Sequence, residues 1–494
     1  MWDNLALGIQ EALTWQSLGL MLLGTVWGFI GGALPGIQAS TAMALVLPLT
    51  WGMPPAGALM MLAAVYVAAE YSGSVPAILI KTPGTSAAVV TTFDGYALQL
   101  QGKGGKALSV SLYGGFIGGI IGNVMLIALV LPLSRVALSF GPAEYFAFAC
   151  LGLALVSSLG GKSVIKGLAS ATFGVMAATV GIDPFTGTAR FTFGSQDLTN
   201  GFEATAVLVG LLAVGEVLVQ ARDATPVQRF TGTVSRALVT WREFRPLLPI
   251  TLLTGVLGMV IGVLPGAGTT VASLLAYSEA RRWSKHPELF GKGSLEGVAA
   301  PETANNACVP GAMVPLLAFG IPGSNSAAIM IAALMLHGVT PGPMLFEKDP
   351  QVVYGLFAGL FVATFMMLAM GRLCIKPLLK IVSVDKSILL GAVLTLVVVG
   401  TYSHQQSLFE VGTALGFGVA GYVMSRYDFS PAACVLGFVL GPIIESAFRR
   451  ALILSDGSLM VFVTSPVAAV LLLVAVLTFS LPLVRAAYGA LSRR

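Results

Sequence analysis

The sequence predicts an all-α polytopic membrane protein with two inverted structural repeats, broken helices and re-entrant hairpins. Of its 494 residues, 56% are hydrophobic and only 10% are charged, and the mean hydropathy is +0.88. Soluble domains carry about 25% charged residues, so a large soluble core is excluded. Apolar stretches that approach the length needed to cross a bilayer, about 20 residues, recur along nearly the whole chain. We expect roughly 10 to 14 membrane segments.

A proline-glycine signature that occurs twice predicts the repeat. Leu34-Pro35-Gly36 recurs as Leu264-Pro265-Gly266, 230 residues later, and Pro83-Gly84-Thr85 recurs as Pro322-Gly323-Ser324, 239 residues later. Helix breakers at matching points of two apolar halves are the sequence signature of a secondary transporter. The backbone groups that such breaks expose are tolerated at membrane depth only where they line a cavity or a ligand.

The repeats divide the chain into a first membrane repeat over 1–220, a cytoplasmic linker over 221–246 and a second, inverted membrane repeat over 247–494. The run Asp94-Gly95-Tyr96 is expected to end a hairpin at the cytoplasmic surface. Some apolar stretches beside the motifs are too short to cross and are interpreted as half-helices or re-entrant hairpins. They are 39–49, 74–82 and 308–321.

Loop charges predict the orientation in the membrane. The segment 221–246 carries five arginines against two acidic residues, which predicts a cytoplasmic location, and 183–203 carries three acidic residues against one arginine, which predicts the outside. Counting crossings from these loops places the N-terminus outside and inverts the second half. Arg449 and Arg450 do not fit this count, which places them outside. No cleavable signal peptide is expected, because Lys81 is the first basic residue.

Several other function classes are disfavoured by the residues present. The net charge of +5 is distributed over short connections, where basic residues orient the chain and do not indicate nucleic-acid binding. The four cysteines and three histidines show no metal or disulfide spacing. Gly160-Gly161-Lys162-Ser163 resembles the end of a P-loop, but Val156 replaces the required earlier glycine. We expect no enzyme activity and no cofactor, because no nucleophile-base or metal motif is found.

Each Pro-Gly break is followed by small polar side chains that can bind an anion. Proline removes an amide donor and glycine permits unusual dihedral angles, so the chain unwinds and the next helix begins with free N–H groups. A single break would be interpreted as a proline kink, but two copies at matching positions favour a binding site. The predicted substrate-binding residues are Pro35, Gly36, Lys81, Pro83, Gly84, Thr85, Ser86, Pro265, Gly266, Thr269, Thr270, Pro322, Gly323, Ser324, Asn325 and Ser326.

Polar residues beside these motifs are candidates for ion coupling. Glu70 and Glu302 precede the second motif of each half, with an internal ion pair or a surface position as the alternative. Asn305 and Asn306 lie in a polar patch that is costly in a membrane unless it is buried against partners. For Lys81 the alternative to a substrate contact is a snorkelling surface lysine. The predicted ion-coupling residues are Ser40, Thr41, Glu302, Asn305 and Asn306, with Na⁺ at the same Pro-Gly loops or H⁺ on a carboxylate.

A set of motifs spread over nearly the whole chain carries a family resemblance. They are Gly32-Ala33-Leu34-Pro35-Gly36, Ser72-Gly73-Ser74, Pro83-Gly84-Thr85, Phe93-Asp94-Gly95-Tyr96, Pro301-Glu302-Thr303-Ala304-Asn305-Asn306 and Gly320-Ile321-Pro322-Gly323-Ser324. Together they resemble the large membrane subunit of tripartite tricarboxylate transporters, the TctA type. Two positions depart from that pattern: asparagine is usual where Lys81 stands, and Ile37-Gln38-Ala39-Ser40 replaces a more glycine-rich run.

The resemblance implies a symporter of the bacterial inner membrane that imports a small organic carboxylate, of the di- or tricarboxylate type, with Na⁺ or H⁺. It implies two partners, a small membrane subunit with about four spans and a periplasmic solute-binding protein, and elevator-type alternating access. Homo-oligomerisation stays open, and no nucleic-acid partner is expected. The alternatives are a passive anion channel and a structural membrane subunit of a transport complex.

Overall fold

The computed structural model describes residues 2–34, 36–159, 163–222, 238–373 and 386–491, which are mainly helical. Two short strands, β1 (Gly181–Ile182) and β2 (Ala189–Arg190), form an antiparallel hairpin. The helices are α1 (Trp2–Ala12), α2 (Trp15–Ala33), α3 (Ala39–Val46), α4 (Pro55–Ser72), α5 (Ser74–Ile80), α6 (Thr91–Leu100), α7 (Gly104–Leu138), α8 (Pro142–Leu159), α9 (Val164–Ala178), α10 (Ala204–Val209), α11 (Gly215–Arg222), α12 (Trp241–Phe244), α13 (Leu248–Val263), α14 (Gly268–Trp283), α15 (Glu296–Phe319), α16 (Asn325–Leu336), α17 (Leu345–Lys348), α18 (Pro350–Leu373), α19 (Lys386–Gln405), α20 (Leu408–Arg426), α21 (Pro431–Leu454), α22 (Val461–Thr464) and α23 (Pro466–Leu491).

The predicted all-α, polytopic membrane fold is confirmed. Within the described residues, eight helices are long and apolar enough to cross a membrane, and six shorter apolar helices accompany them. The inverted arrangement of the two halves stays a prediction. The eight spans are Trp15–Ala33, Pro55–Ile80, Gly104–Leu138, Ala204–Arg222, Trp241–Val263, Pro350–Leu373, Leu408–Arg426 and Pro431–Leu454.

The predicted half-helices have different outcomes. The stretch 39–49 contains a short helix, α3, followed by a 3-10 turn over Leu47–Thr50. The stretch 74–82 contains α5, which continues α4 because Gly73 between them keeps helical dihedral angles, φ −59° and ψ −24°. The prediction of a separate half-helix over 308–321 is wrong, since α15 runs from Glu296 to Phe319 through three internal prolines. Each proline removes one hydrogen bond of the ladder, and packing against α13 and α14 holds the helix together.

The described residues fall into two compact units that each draw on both halves of the sequence. Unit 1 comprises Met1–Pro132, Gln220–Leu264 and Gly268–Leu396, and unit 2 comprises Leu133–Val219, Pro265–Ala267 and Val397–Arg494. This division follows spatial contacts, whereas the predicted repeats follow sequence correspondence. The boundaries predicted for the repeats and the linker therefore stay a prediction.

Two helix pairs of unit 1 pack in the same way. Helix α2 packs on α4 and α13 packs on α15. A Cβ at Gly28 of α2 would lie 2.5 Å from the carbonyl oxygen of Val65, and a Cβ at Gly258 of α13 would collide with the carbonyl oxygen of Ala304. The two glycines are 230 residues apart and their partners 239, the offsets of the Pro-Gly motifs. Small residues let membrane helices approach closely, so glycine sets both interfaces.

In unit 2, α21 packs on α8 and α9, and a charged cluster lies beside the β-hairpin. The Arg449 guanidinium lies 2.8 Å from Asp183 and 2.9 Å from Glu445, and Arg190 lies 2.5 Å from Glu445. The backbone amide of Phe185 and the Arg449 guanidinium hold the pKa of Asp183 at about 2. Arg449 therefore lies beside the loop that was predicted to be outside, and its charge is neutralised there by two carboxylates. The positive-inside rule gives poor guidance for such a paired arginine.

Candidate functional site

Four loops interrupt the helices at the Pro-Gly motifs. Loop 1 (34–38) follows α2, loop 2 (81–86) follows α5, loop 3 (264–267) follows α13, and loop 4 (320–324) follows α15. Pro35 of loop 1 lies outside the described residues. Loops 1, 3 and 4 each lead into the N-terminus of a new helix, namely α3, α14 and α16. The helix breaks predicted at these motifs are thus present.

The glycines of loops 2 and 4 are required by close packing of backbone on backbone. A Cβ at Gly84 would collide with the carbonyl oxygen of Gly32, and a Cβ at Gly323 would lie 3.0 Å from the carbonyl oxygen of Gly262. Gly32 and Gly262 each lie four residues before the glycine of the first motif in their half. In loops 1 and 3 the reason is conformational, because those glycines have φ of 90° and 81°, where side chains are disfavoured.

Loops 2 and 4 also begin with the same backbone turn. Lys81 has φ 59° and ψ 21°, and Gly320 has φ 73° and ψ 19°, so both end a helix in the left-handed conformation. This conformation is uncommon for a residue other than glycine. The Lys81 side chain is exposed, and its Nζ lies 5.8 Å from the centre of the Tyr96 ring. Its predicted contact with substrate stays a prediction.

Side chains connect loop 1, loop 2 and the start of α14. The backbone amide of Ser86 donates to Oε1 of Gln38 at 3.2 Å. The hydroxyls of Ser86 and Thr270 hydrogen-bond at 2.7 Å and join the two halves of the sequence within unit 1. Gln38 and Ser86 are half-buried and Thr270 is exposed. These groups are therefore accessible polar atoms in an otherwise apolar chain.

Helix α4 connects the remaining motifs through two residues one helical turn apart. The hydroxyls of Tyr66 and Ser324 lie 3.2 Å apart, and Ser324 also caps α16 by accepting the amide of Ala327. The hydroxyl of Thr269 donates to Oε1 of Glu70 at 3.4 Å. All of α4 from Ala56 to Ser72 is buried, so the contact of Thr269 with Glu70 is shielded from water, whereas Ser324 is half-buried. Residues near loop 4 and at the start of α14 thus contact one face of α4.

Helix α15 adds a second buried carboxyl group to this region. Thr91 of α6 donates its hydroxyl to Oε1 of Glu302. The side-chain amide of Asn305 donates to the backbone oxygen of Glu70, and that of Asn306 to the backbone oxygen of Glu302, both at 3.1 Å. The three predicted ion-coupling residues of α15 are therefore buried together with Glu70, and their oxygen atoms are suited to a small cation.

The other predicted site residues lie as follows. Ser40 and Thr41 are buried in the first turn of α3, and Ser326 is buried in the first turn of α16. Thr85 is buried, while Asn325 is half-buried. The predicted substrate-binding residues are divided between the two compact units. Those that the structure describes lie in unit 1, except Pro265 and Gly266, which belong to unit 2.

Asp94 does not lie at the end of a hairpin on the surface, as the sequence predicted. It lies inside α6 and is completely buried. Its Oδ1 accepts the backbone amides of Gly291, Gly293 and Ser294 at 2.7 to 2.9 Å, and its Oδ2 accepts the hydroxyl of Tyr277 at 2.9 Å. Asp94 therefore connects α6, which carries Thr91, to the segment that precedes α15.

Sequence reasoning missed Tyr66 and Thr91, gave Gln38 no role, and named Glu70 as a candidate for ion coupling without including it in the predicted ion-coupling set. Tyr66 lies four residues before Glu70, so both lie on one face of a helix, and this spacing was available in the sequence. Thr91 and Gln38 meet their partners only through tertiary contacts. No sequence signal distinguishes them from other polar residues near a helix end.

Comparison with known proteins gives one consistent family. Residues 18–436 match the profile of the tripartite tricarboxylate transporter TctA family. The chain is 37% identical over 472 residues to an uncharacterised 52.8 kDa protein of the TAR-I ttuC' 3' region of Agrobacterium vitis, covering 96% of this chain and 94% of that protein. It is 38% identical over 231 residues to an uncharacterised protein of the TAR-II ttuC' 3' region of that species, covering 46% of this chain and 96% of that protein. No solved structure matches.

Proposed function

Because the chain belongs to the tripartite tricarboxylate transporter TctA family, we propose that it imports a small organic carboxylate of the di- or tricarboxylate class by cation-coupled symport. The family is a transporter component and not an enzyme family. The proposed partners are those of a tripartite system, a small four-span membrane subunit and a periplasmic solute-binding protein that delivers the anion. The coupling ion is Na⁺ or H⁺.

The observation that carries this proposal is the contact between Ser86 and Thr270. The two hydroxyls lie 2.7 Å apart, come from opposite halves of the sequence and remain partly accessible. Nearby, α3 and α14 begin with backbone N–H groups that have no partner within the helix. Helix N-termini attract anions through these groups and through the helix dipole. A substrate carboxylate would accept hydrogen bonds from the hydroxyls and from these amides.

The proposal includes an orientation and a motion. The charge of the loops supports a periplasmic N-terminus and a cytoplasmic 221–246 segment in the inner membrane. Most of that segment, 223–237, lies outside the described residues, as does Met1. Alternating access would carry the loops from one side to the other by an elevator-type movement.

Uptake into proteoliposomes tests the proposal. The vesicles contain this chain and its small membrane subunit, the binding protein is added or withheld, and an inward Na⁺ or H⁺ gradient is imposed. Labelled citrate, succinate and malate are the probes. Accumulation above equilibrium that requires the binding protein and one gradient is the expected result. Equilibration that stops at equal concentrations under every gradient would contradict symport.

Two substitutions test the site itself. Thr270→Val removes a hydroxyl with little change of shape, and Ser86→Ala removes its partner. A hydrogen bond to a charged ligand is worth about 1.5 to 3 kcal/mol, so each variant should bind the anion about 10- to 100-fold more weakly. Thr395→Val is the matched control, because that exposed hydroxyl donates to the carbonyl oxygen of Gly391 in its own helix. Equal affinity in all three variants would reject the assignment of this loop contact.

The alternatives predict different results in the same vesicles. A passive anion channel would dissipate a substrate gradient and would not respond to the imposed cation gradient. A structural membrane subunit would tolerate Thr270→Val with full uptake, since its role would need assembly alone. Both outcomes can be read directly from the rate and the final level of uptake.

A further inference from the structure

Two carboxyl groups are buried inside unit 1 without a counter-charge. Glu70 is 5% exposed and Glu302 is 1% exposed. Among the described residues, neither forms an ion pair with a lysine, arginine or histidine. An ionised carboxylate in such surroundings is costly unless a cation or a proton neutralises it. Within the part of the chain that the structure describes, neither alternative left by the sequence, an internal ion pair or a surface position, is found.

Each carboxyl group has one oxygen with a donor and one without. Thr269 and Thr91 donate to Oε1 of Glu70 and of Glu302. Oε2 of both glutamates and the Oδ1 atoms of Asn305 and Asn306 are buried and accept no hydrogen bond of normal geometry within the described chain, although the Asn305 side chain lies near the Glu70 carboxyl group and the Ser111 hydroxyl near that of Glu302. A bound cation could be coordinated by these four buried acceptor atoms. Small hard cations prefer carboxylate and amide oxygens as ligands.

The other titratable side chains beside the pair are Tyr66 and Tyr71 on α4 and Cys308 on α15. A phenol or a thiol carries no positive charge in any protonation state. None can supply the missing positive charge. Positive charge must therefore come from solution: one monovalent cation, Na⁺ or H⁺, would neutralise one carboxylate, and the other carboxyl group would be protonated.

The pair is also connected to the substrate loops. Glu70 accepts the hydroxyl of Thr269, which is the neighbour of Thr270 in the first turn of α14. Asn305 donates to the backbone of Glu70, and Asn305 lies one helical turn after Glu302 on α15. A change of charge at either glutamate would therefore act on the residue next to the proposed anion contact.

We infer that Glu70 and Glu302 together form one loading site for the monovalent coupling cation, taken up as Na⁺ or as H⁺. The inference rests on the proposed symport and names the residues that couple it. Glutamine at either position is permanently neutral and imitates the loaded state. A carrier that cannot unload its cation can still exchange substrate for substrate, but it cannot complete the cycle that net accumulation requires.

The transport experiment compares wild type, Glu70→Gln, Glu302→Gln and the double variant in proteoliposomes with citrate, succinate and malate. Each glutamine variant should lose at least tenfold in gradient-driven accumulation and keep exchange within about threefold of wild type. The gradient that drives the wild type, Na⁺ or H⁺, identifies the ion. Glu144→Gln is the matched control, since that carboxylate hydrogen-bonds to Ser465 and to the amide of Gly141 in unit 2. Normal accumulation in both variants, or loss of exchange together with accumulation, would overturn the inference.

A measurement without substrate separates this inference from the proposed function. The apparent unfolding temperature of the purified membrane complex is recorded while NaCl replaces choline chloride, and in a second series while pH falls from 8 to 5. A ligand that binds only the folded state raises this temperature by mass action. Wild type should respond to Na⁺ or to protons, and both glutamine variants should not. This result together with no carboxylate transport would keep the cation site and reject the proposed function, whereas an equal response in all variants would reject the site.

Discussion

Substitution of Gly84 by alanine tests whether loop 2 depends on close backbone packing. The added Cβ would collide with the carbonyl oxygen of Gly32 and lie 2.8 Å from Cα of Gly73. These are backbone atoms and cannot rotate away, so loop 2 or the end of α2 must move. Overpacking of this kind costs about 1 to 3 kcal/mol. The upper end of that range applies here, because the clash is with fixed backbone atoms. The loss of flexibility in the unfolded chain returns about 0.4 to 1 kcal/mol, which leaves a net destabilisation of about 2 kcal/mol.

Two further substitutions give a graded series. A Cβ at Gly323 would meet Ala312 at 2.9 Å and Gly262 at 3.0 Å, so Gly323→Ala should destabilise less than Gly84→Ala. Gly19 lies inside α2 with no atom within 4 Å of an added Cβ. Gly19→Ala is therefore the control and should stabilise by about 0.5 to 1 kcal/mol, because alanine favours a helix over glycine.

The assay is the apparent unfolding temperature of each purified variant in one detergent, followed by uptake in vesicles. A difference of about 2.5 to 3 kcal/mol between Gly84→Ala and Gly19→Ala corresponds to about 3 °C for a chain of 494 residues, because the entropy of unfolding is about 2 cal/mol/K per residue. Uptake should fall with Gly84→Ala, since the displaced loop carries Ser86. Equal unfolding temperatures for Gly84→Ala and Gly19→Ala would refute the reasoning, because the predicted destabilisation of Gly84→Ala comes from the clash of its Cβ with the backbone of Gly32.

The remaining predictions concern a lysine, a charged cluster and the topology. Lys81→Asn should change which carboxylate competes best for uptake, and an unchanged competition profile would make Lys81 a surface lysine. Asp183→Asn should lower the unfolding temperature at pH 7. Because the pKa of Asp183 is about 2 in the folded state against an ordinary 3.8, this stabilisation is present above about pH 4 and lost as pH falls toward 2, so the gap from wild type should close over that range. A gap that persists at pH 2 would contradict the charge argument. Accessible tags at Met1 and in 221–246 should report opposite sides of the membrane, and labelling from the same side would break the predicted orientation.

The sequence by itself determined the fold class, the positions of the four loops and the family. Fold class follows from composition, since a chain with 10% charged residues cannot expose its surface to water. The loops follow from local chemistry, because proline removes a hydrogen bond of the helix and glycine permits the dihedral angles that end one. The prediction failed at 308–321 for a related reason. A proline in the sequence shows that one helical hydrogen bond is lost, but tertiary packing decides whether the helix breaks there. Helix α15 continues through Pro310 and Pro315.

Tertiary structure alone decided which polar residues meet. Glu70 and Thr269 are 199 residues apart, and Thr91 and Glu302 are 211 apart, so no local pattern could pair them. The missing donors at the two carboxyl groups were also invisible in the sequence, because an unpaired buried atom is defined by everything that surrounds it. Arg449 gives the converse case. Its positive charge does not fit the predicted topology, but in the fold Asp183 lies 2.8 Å from it. A carboxylate far away in the sequence can thus neutralise an arginine that a count of loop charges treats as unpaired.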